Sequence, residues 1–194
     1  MKKVIRCAWP SDDELMIEYH DREWGEPVHD DRLLFEYMVL DAFQAGLSWR
    51  TILYKRENFR KAFKNFDPRK VAKFTKKDYD RLLQDDGIVR NRAKIQAAIS
   101  NAQCFLEVQK EFGSFDAFIW QFTNGKTVHN RFISMGQLPP KTAVSDAMSK
   151  ALIERGFKFV GSTICYSFMQ AAGMVNDHAV DCFRYKELRK SRGK

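Results

Sequence analysis

The ten residues Leu40-Asp41-Ala42-Phe43-Gln44-Ala45-Gly46-Leu47-Ser48-Trp49 constrain the chain more than any other stretch, because they set one carboxylate on an otherwise apolar, aromatic helix that stops at a glycine. Four-residue spacing puts Asp41 and Ala45 on the face of Tyr37 and Met38, where an unpaired carboxylate is costly. The acid therefore has a partner or a task. Gly46 suits the position that ends a helix, and it leaves Leu47 projecting from a tight turn just before Trp49. Two readings stand at this point. Either the helix end is docked in a core with Asp41 salt-bridged, or Asp41 reads a positively charged base and Leu47 is a wedge.

Around this segment the apolar residues recur at helical spacing. Ser11-Asp12-Asp13-Glu14 reads as a capping box for a short helix carrying Met16, Tyr19 and His20, and a second helix starts near Asp31 and runs to Gly46. Ser48 caps a third over about 49–64, Asp67-Pro68 is a cap followed by proline at the first helical position, and Thr75 with Asp78 opens a further helix. A glycine turn at Asp85-Asp86-Gly87-Ile88 leads into a long amphipathic helix through Ile95, Ile99, Ala102 and Leu106. Ser114 caps the next helix, 123–142 reads as a loop, and Ser145 caps a helix ending at Gly156. A buried helix spans 161–173, Asn176-Asp177 caps a last turn or two through His178 and Cys182, and a charged tail expected to fray runs from Lys186 to Lys194. With no period-2 strand or repeat, the expected class is all-α.

The 194 residues suffice for one sizeable domain with a substantial core. No apolar run approaches a membrane span and no signal peptide opens the chain, so a cytoplasmic protein without a membrane partner is expected. An excess of Lys and Arg over Asp and Glu, 33 to 25, makes a polyanionic partner plausible; charge alone does not separate nucleic acid from a membrane surface.

Three groups of residues carry candidate chemistry. His178 and Cys182 are four apart on an expected helix, and Cys7 with His20 offers a second pair near the other end. Two cysteines and two histidines make a closed structural zinc site that would pin the first helix to the last, while free thiols and ordinary histidines are the competing reading. The turn from Gly87 to Arg92 is a candidate phosphate cradle, with Arg90, Arg92 and Lys94 adding charge; an αα-hairpin with a solvated basic face is the commoner alternative. The runs Lys55-Arg56 and 70–77 read as solvated faces. Trp9, Tyr19, Trp24 and Trp49 lie within the first fifty residues together with the acid, and such a cage suits a planar cation; tryptophans filling a core are the alternative.

Taken together, the segments Arg6-Cys7-Ala8-Trp9, Tyr19-His20-Asp21-Arg22-Glu23-Trp24-Gly25, Gln44-Ala45-Gly46-Leu47-Ser48-Trp49, Lys55-Arg56-Glu57-Asn58, Phe66-Asp67-Pro68 and Gly156-Phe157-Lys158-Phe159-Val160-Gly161, running on to Asn176-Asp177-His178, resemble the DNA-3-methyladenine glycosylase I family. The resemblance covers nearly the whole chain outside 123–140 and the tail. It implies an all-α helix-hairpin-helix DNA glycosylase fold, as a single domain over 1–186 with the hairpin lobe at about 67–112, the N- and C-terminal segments sharing the zinc-bound lobe, and a basic tail at 187–194. It implies one structural zinc ion on Cys7, His20, His178 and Cys182. A base pocket would come from Trp9, Tyr19, Trp24, Asp41 and Trp49, with Asp41 the catalytic candidate. Gln44, Gly46 and Leu47 would fill the gap left by an extruded nucleotide, and the turn at Gly87, with Arg90 and Arg92, would grip the phosphate backbone.

The implied activity is monofunctional hydrolysis of the N-glycosidic bond of 3-methyladenine in double-stranded DNA, as base-excision repair by a monomer. Two departures matter: Asp41 stands where the family usually has glutamate, and Met16 where a second tyrosine is common. The competing readings are a zinc-stapled DNA-binding module without catalysis and a zinc hydrolase; four protein ligands would leave the latter no open position for water.

Overall fold

The computed structural model describes residues 4–190. Its helices run α1 Glu14–Arg22, α2 Asp31–Gln44, α3 Trp49–Ala62, α4 Pro68–Val71, α5 Lys76–Gln84, α6 Arg92–Phe112, α7 Phe115–Trp120, α8 Ala143–Glu154, α9 Ser162–Ala171 and α10 Phe183–Lys190. Against the all-α expectation the described residues hold one small parallel pairing, β1 Val128–His129 with β2 Val175–Asn176. Those two residues a side tie the 123–142 connection to the segment after α9.

The organising element is α2, whose residues from Leu34 through Phe43 are all buried. A helix without a solvent face has neighbours on every side, and α2 packs against α3, α6, α7 and α9. It starts at Asp31 as the spacing has it, and Asp30 caps it by accepting from the Leu33 N–H at 2.8 Å. Asp31 instead turns its carboxylate to the N–H groups of Phe115 and Asp116 at the start of α7.

Several helix starts fall where the sequence places them. Ser48, Asp67, Thr75 and Ser114 are N-caps, and Pro68 occupies the first turn of α4. Others differ. Asp13, not Ser11, caps α1, and Thr142 caps α8 with Ser145 as the third residue of the capping box. His178 and Cys182 are not helical; they lie in the irregular turn between β2 and α10. Nor does the chain fray from Lys186, because α10 buries Tyr185 and Leu188; residues 191–194 lie outside the described residues.

Two apolar clusters result. The larger holds α2 against the phenylalanine-rich faces of α3, α6 and α7 and against α9. The smaller joins Cys7, Met16, Tyr19 and Trp24 to Ala179, Cys182 and Tyr185, and so fastens the two ends of the chain together. Gly173 permits the close approach this requires: at φ +68° its absent Cβ would lie 2.2 Å from the Glu26 carbonyl carbon.

Candidate active site and metal centre

At the junction of α1, α2 and α9 lies a cavity of about 280 Å³. Trp9, Tyr19, Trp24, Asp41 and Trp49, the whole expected cage, line it together with Met16 and Gln44. The rings stand at steep angles: Trp9 and Trp24 have centroids 5.3 Å apart at 73°, and Tyr19 and Trp49 are 5.1 Å apart at 44°. Such walls present faces and edges to a guest instead of closing on one another.

Asp41 is 2 % exposed, and its Oδ2 meets no donor among the described residues. No ion pair reaches this acid among the described residues, so the salt-bridged reading is not what they show. Burial pushes its carboxyl well above the usual carboxylate range. The indole N–H groups of Trp9 and Trp49 are likewise buried without an acceptor. One acceptor and two donors left unsatisfied in one neighbourhood are costly unless a guest completes them. Burial also raises the Tyr19 phenol well above its usual range, which keeps it a neutral hydroxyl.

Met135, Leu138, Ser167, Gln170 and Ala171 complete the lining and were not singled out from the sequence. Ser167, Gln170 and Ala171 share one face of α9 by their three- and four-residue spacing, the side left over once its apolar stripe is assigned.

The turn at the end of α2 is closed by the Leu47 N–H donating to the Gln44 carbonyl at 2.6 Å. Ala45 at φ −45°, ψ 116° followed by Gly46 at φ +77° is a type II turn, with glycine where positive φ is needed. Leu47 emerges from it 41 % exposed.

Cys7, His20, His178 and Cys182 are all buried, and their ligand atoms lie within 4.8 Å of one another. His178 Nδ1 is 3.2 Å from His20 Nε2 and 3.6 Å from each sulfur. The edges of a tetrahedron with zinc-like bond lengths would be about 3.3–3.8 Å. The outer nitrogens fix the tautomers: His20 Nδ1 faces the Asp21 carboxylate at 2.8 Å, and His178 Nε2 faces the Trp24 carbonyl at 2.9 Å. Both are acceptors, so each ring places its N–H outward and a lone pair inward. Two lone pairs 3.2 Å apart in a buried site repel unless a cation lies between them. The residues therefore fit a metal ion.

At the hairpin between α5 and α6, Leu82 and Ile88 are buried and Arg90 and Arg92 are exposed. Gly87 serves close packing: its N–H donates to Asp85 Oδ1 at 2.9 Å, and a Cβ there would come within 3.1 Å of the Asn58 side chain. Three basic residues depart from expectation. Arg56 is buried between Glu23 and Glu36, and Lys55 holds the Asp86 carbonyl at 2.9 Å, so neither belongs to a solvated run. Lys94 does not join the arginines; it turns inward.

The family model for methyladenine glycosylases matches residues 9–185. The DNA-3-methyladenine glycosylase 1 of Escherichia coli K12 is 52 % identical over 180 residues, covering 93 % of this chain and 96 % of that one. The structure of 3-methyladenine DNA glycosylase I from Staphylococcus aureus, described for its recognition of 3-methyladenine, superimposes with a TM-score of 0.89 at 38 % identity, over 92 % of this chain and 95 % of that one. A further structure of 3-methyladenine DNA glycosylase I, a Tyr-to-Phe variant in complex with 3-methyladenine, gives a TM-score of 0.89 at 37 % identity, over 92 % and 96 % of the two chains.

Proposed function

Because the chain belongs to the methyladenine glycosylase family, we infer that it is a monofunctional glycosylase that hydrolyses the N-glycosidic bond of 3-methyladenine in damaged DNA, a base-excision repair activity. The observation that carries the reading in this chain is the buried acid in the wall of an aromatic cavity, Asp41 with its unpartnered oxygen.

Adenine methylated at N3 is cationic within the nucleotide. Flipping it from the duplex costs a few kcal/mol, less for a damaged base, and Leu47 offsets part of that by entering the vacated stack. In the cavity the tryptophan faces attract the cation by about 0.5–2 kcal/mol, and Asp41 accepts charge-assisted hydrogen bonds from it. Neutral adenine offers Asp41 no such charge, so ionising this buried acid favours the damaged base. When the C1′–N9 bond breaks, its electron pair goes to the base and neutralises it, and the positive charge moves to the sugar. Water adds its oxygen to C1′ and releases a proton. No lysine lines the cavity among the described residues, so nothing there offers an amine for a Schiff base, in keeping with hydrolysis without strand cleavage.

The metal held by Cys7, His20, His178 and Cys182 is zinc in this reading, and its role is structural. Four protein ligands close the coordination sphere and fasten α1 to the segment before α10. Arg90 and Arg92, with the hairpin behind them, hold the phosphate backbone of double-stranded DNA, and Gln44 and Gly46 face the gap beside Leu47. The α4–α6 segment at about 67–112 is the helix-hairpin-helix lobe of a single catalytic domain that acts as a monomer in the cytoplasm.

The test is a single-turnover reaction on a duplex carrying one 3-methyladenine. Chromatography should find the free base, and the strand should remain intact until alkali is added. Strand scission before alkali would overturn the monofunctional reading, and absence of the free base would overturn the activity.

A further inference from the structure

Lys94 is the third residue of α6, a position where the helix dipole disfavours a cation, and it is only 7 % exposed. Burial lowers its ammonium below the usual lysine range. A buried charge at the unfavourable end of a helix needs a compensating partner. Its Nζ donates to two carbonyls, Phe43 at 2.9 Å and Ala45 at 2.6 Å. These are orphan acceptors at the C-terminal, electronegative end of α2.

The Ala45 carbonyl is not an ordinary helix-end acceptor. It belongs to the central peptide of the type II turn Gln44-Ala45-Gly46-Leu47, the peptide whose orientation distinguishes that turn from type I. A donor fixed on this oxygen holds the peptide in one orientation. The Gly46 N–H, at the other end of the same trans peptide plane, then points away from Lys94. Lys94 is also three residues from Asn91, which caps the helix behind the exposed Arg90 and Arg92. One side chain therefore links the basic hairpin to the leucine turn beside the cavity.

We propose that Lys94 is a positioning residue for base extrusion, latching the central peptide of the wedge turn and coupling it to the DNA-gripping hairpin. The inference rests on the glycosylase reading of the same site. It assigns Lys94 no contact with the base and no covalent role.

The test is a double-mutant cycle of Lys94→Met with Leu47→Ala, read as single-turnover release of 3-methyladenine from a duplex, beside binding of the free base followed by tryptophan fluorescence. Each single variant should slow release from the duplex at least tenfold and leave free-base affinity within twofold of the native protein. Because Lys94 acts through Leu47, the double variant should be no slower than the slower single one. Multiplying effects, or an equal loss of free-base binding in Lys94→Met, would overturn the latch and show a general structural role. Should Lys94→Met fail to fold, Lys94→Gln supplies an N–H for the Ala45 carbonyl and should release the base within about threefold of the native rate; a tenfold loss would overturn the latch. Native protein that released no 3-methyladenine would instead defeat the glycosylase reading, which separates the two failures.

Discussion

Replacing Asp41 by Asn should move activity and stability in opposite directions. The substitution keeps the shape of the side chain and removes its charge. In the native protein the carboxylate sits 2 % exposed, with Oδ2 lacking a donor among the described residues. Its hydrogen bond to a cationic base is charge-assisted, and such bonds contribute about 1.5–3 kcal/mol. At about 1.4 kcal/mol per decade, release of 3-methyladenine should fall by about 10- to 150-fold. Stability runs the other way. Burial raises the folded-state titration of Asp41, so the folded chain binds the extra proton over a range where the unfolded chain, titrating near about pH 3.9, has lost it. Asp41 therefore lowers stability as pH rises above that unfolded value, and the full cost is present once pH exceeds the raised folded value. Asp41→Asn should melt higher than the native protein at pH 8, and the gap should close toward pH 4. A gain on the order of 1 kcal/mol corresponds to about 2–4 °C for a chain of this size. The assays are single-turnover base release and thermal melts at the two pH values. Unchanged release, or a lower melting temperature at pH 8, would refute the reasoning.

Leu47→Ala should leave the melting temperature within a degree or two of native, because the side chain is 41 % exposed, while slowing release from duplex DNA; a large fall in melting temperature would show that Leu47 is a core residue. Asp21→Asn removes the carboxylate that orients His20, and competition with a chelator should show metal affinity about 10- to 100-fold weaker, whereas unchanged affinity would detach Asp21 from the metal site. Arg90→Ala and Arg92→Ala should each lower the salt dependence of duplex binding by about one counterion; a slope equal to native would remove that arginine from the DNA interface.

Much of this arrangement is written in local chemistry that a linear reading recovers. The caps at Ser48, Asp67, Thr75 and Ser114 stand alone ahead of apolar periodicity, so each marks a helix start without competition. Where several polar residues adjoin, as at Ser11-Asp12-Asp13 and from Thr142 to Ser145, tertiary packing selects among them, and spacing does not reveal which. Cys7, His20, His178 and Cys182 do converge, but His178 and Cys182 do so from an irregular turn, because a four-residue spacing suits more than one backbone path. Trp9, Tyr19, Trp24 and Trp49 were legible as aromatic side chains near an acid. Met135 and Leu138 were not, since apolar residues in a glycine- and proline-rich connection carry no period that assigns them a face. Arg56 looked like part of a basic run because its partners Glu23 and Glu36 lie 33 and 20 residues away. For Lys94 there was a readable signal, a lysine in the first turn of a long helix, where its own dipole opposes it.

The central claim is that this cavity selects its base by charge. The direct measurement is equilibrium binding of two duplexes of the same shape, one carrying 3-methyladenine on a fluorinated sugar that resists hydrolysis, the other its uncharged 3-deaza counterpart. The native protein should bind the cationic lesion at least tenfold more tightly, and Asp41→Asn should keep only the smaller preference that the tryptophan faces supply. Equal affinity in the native protein, or a preference undiminished in Asp41→Asn, would contradict the claim.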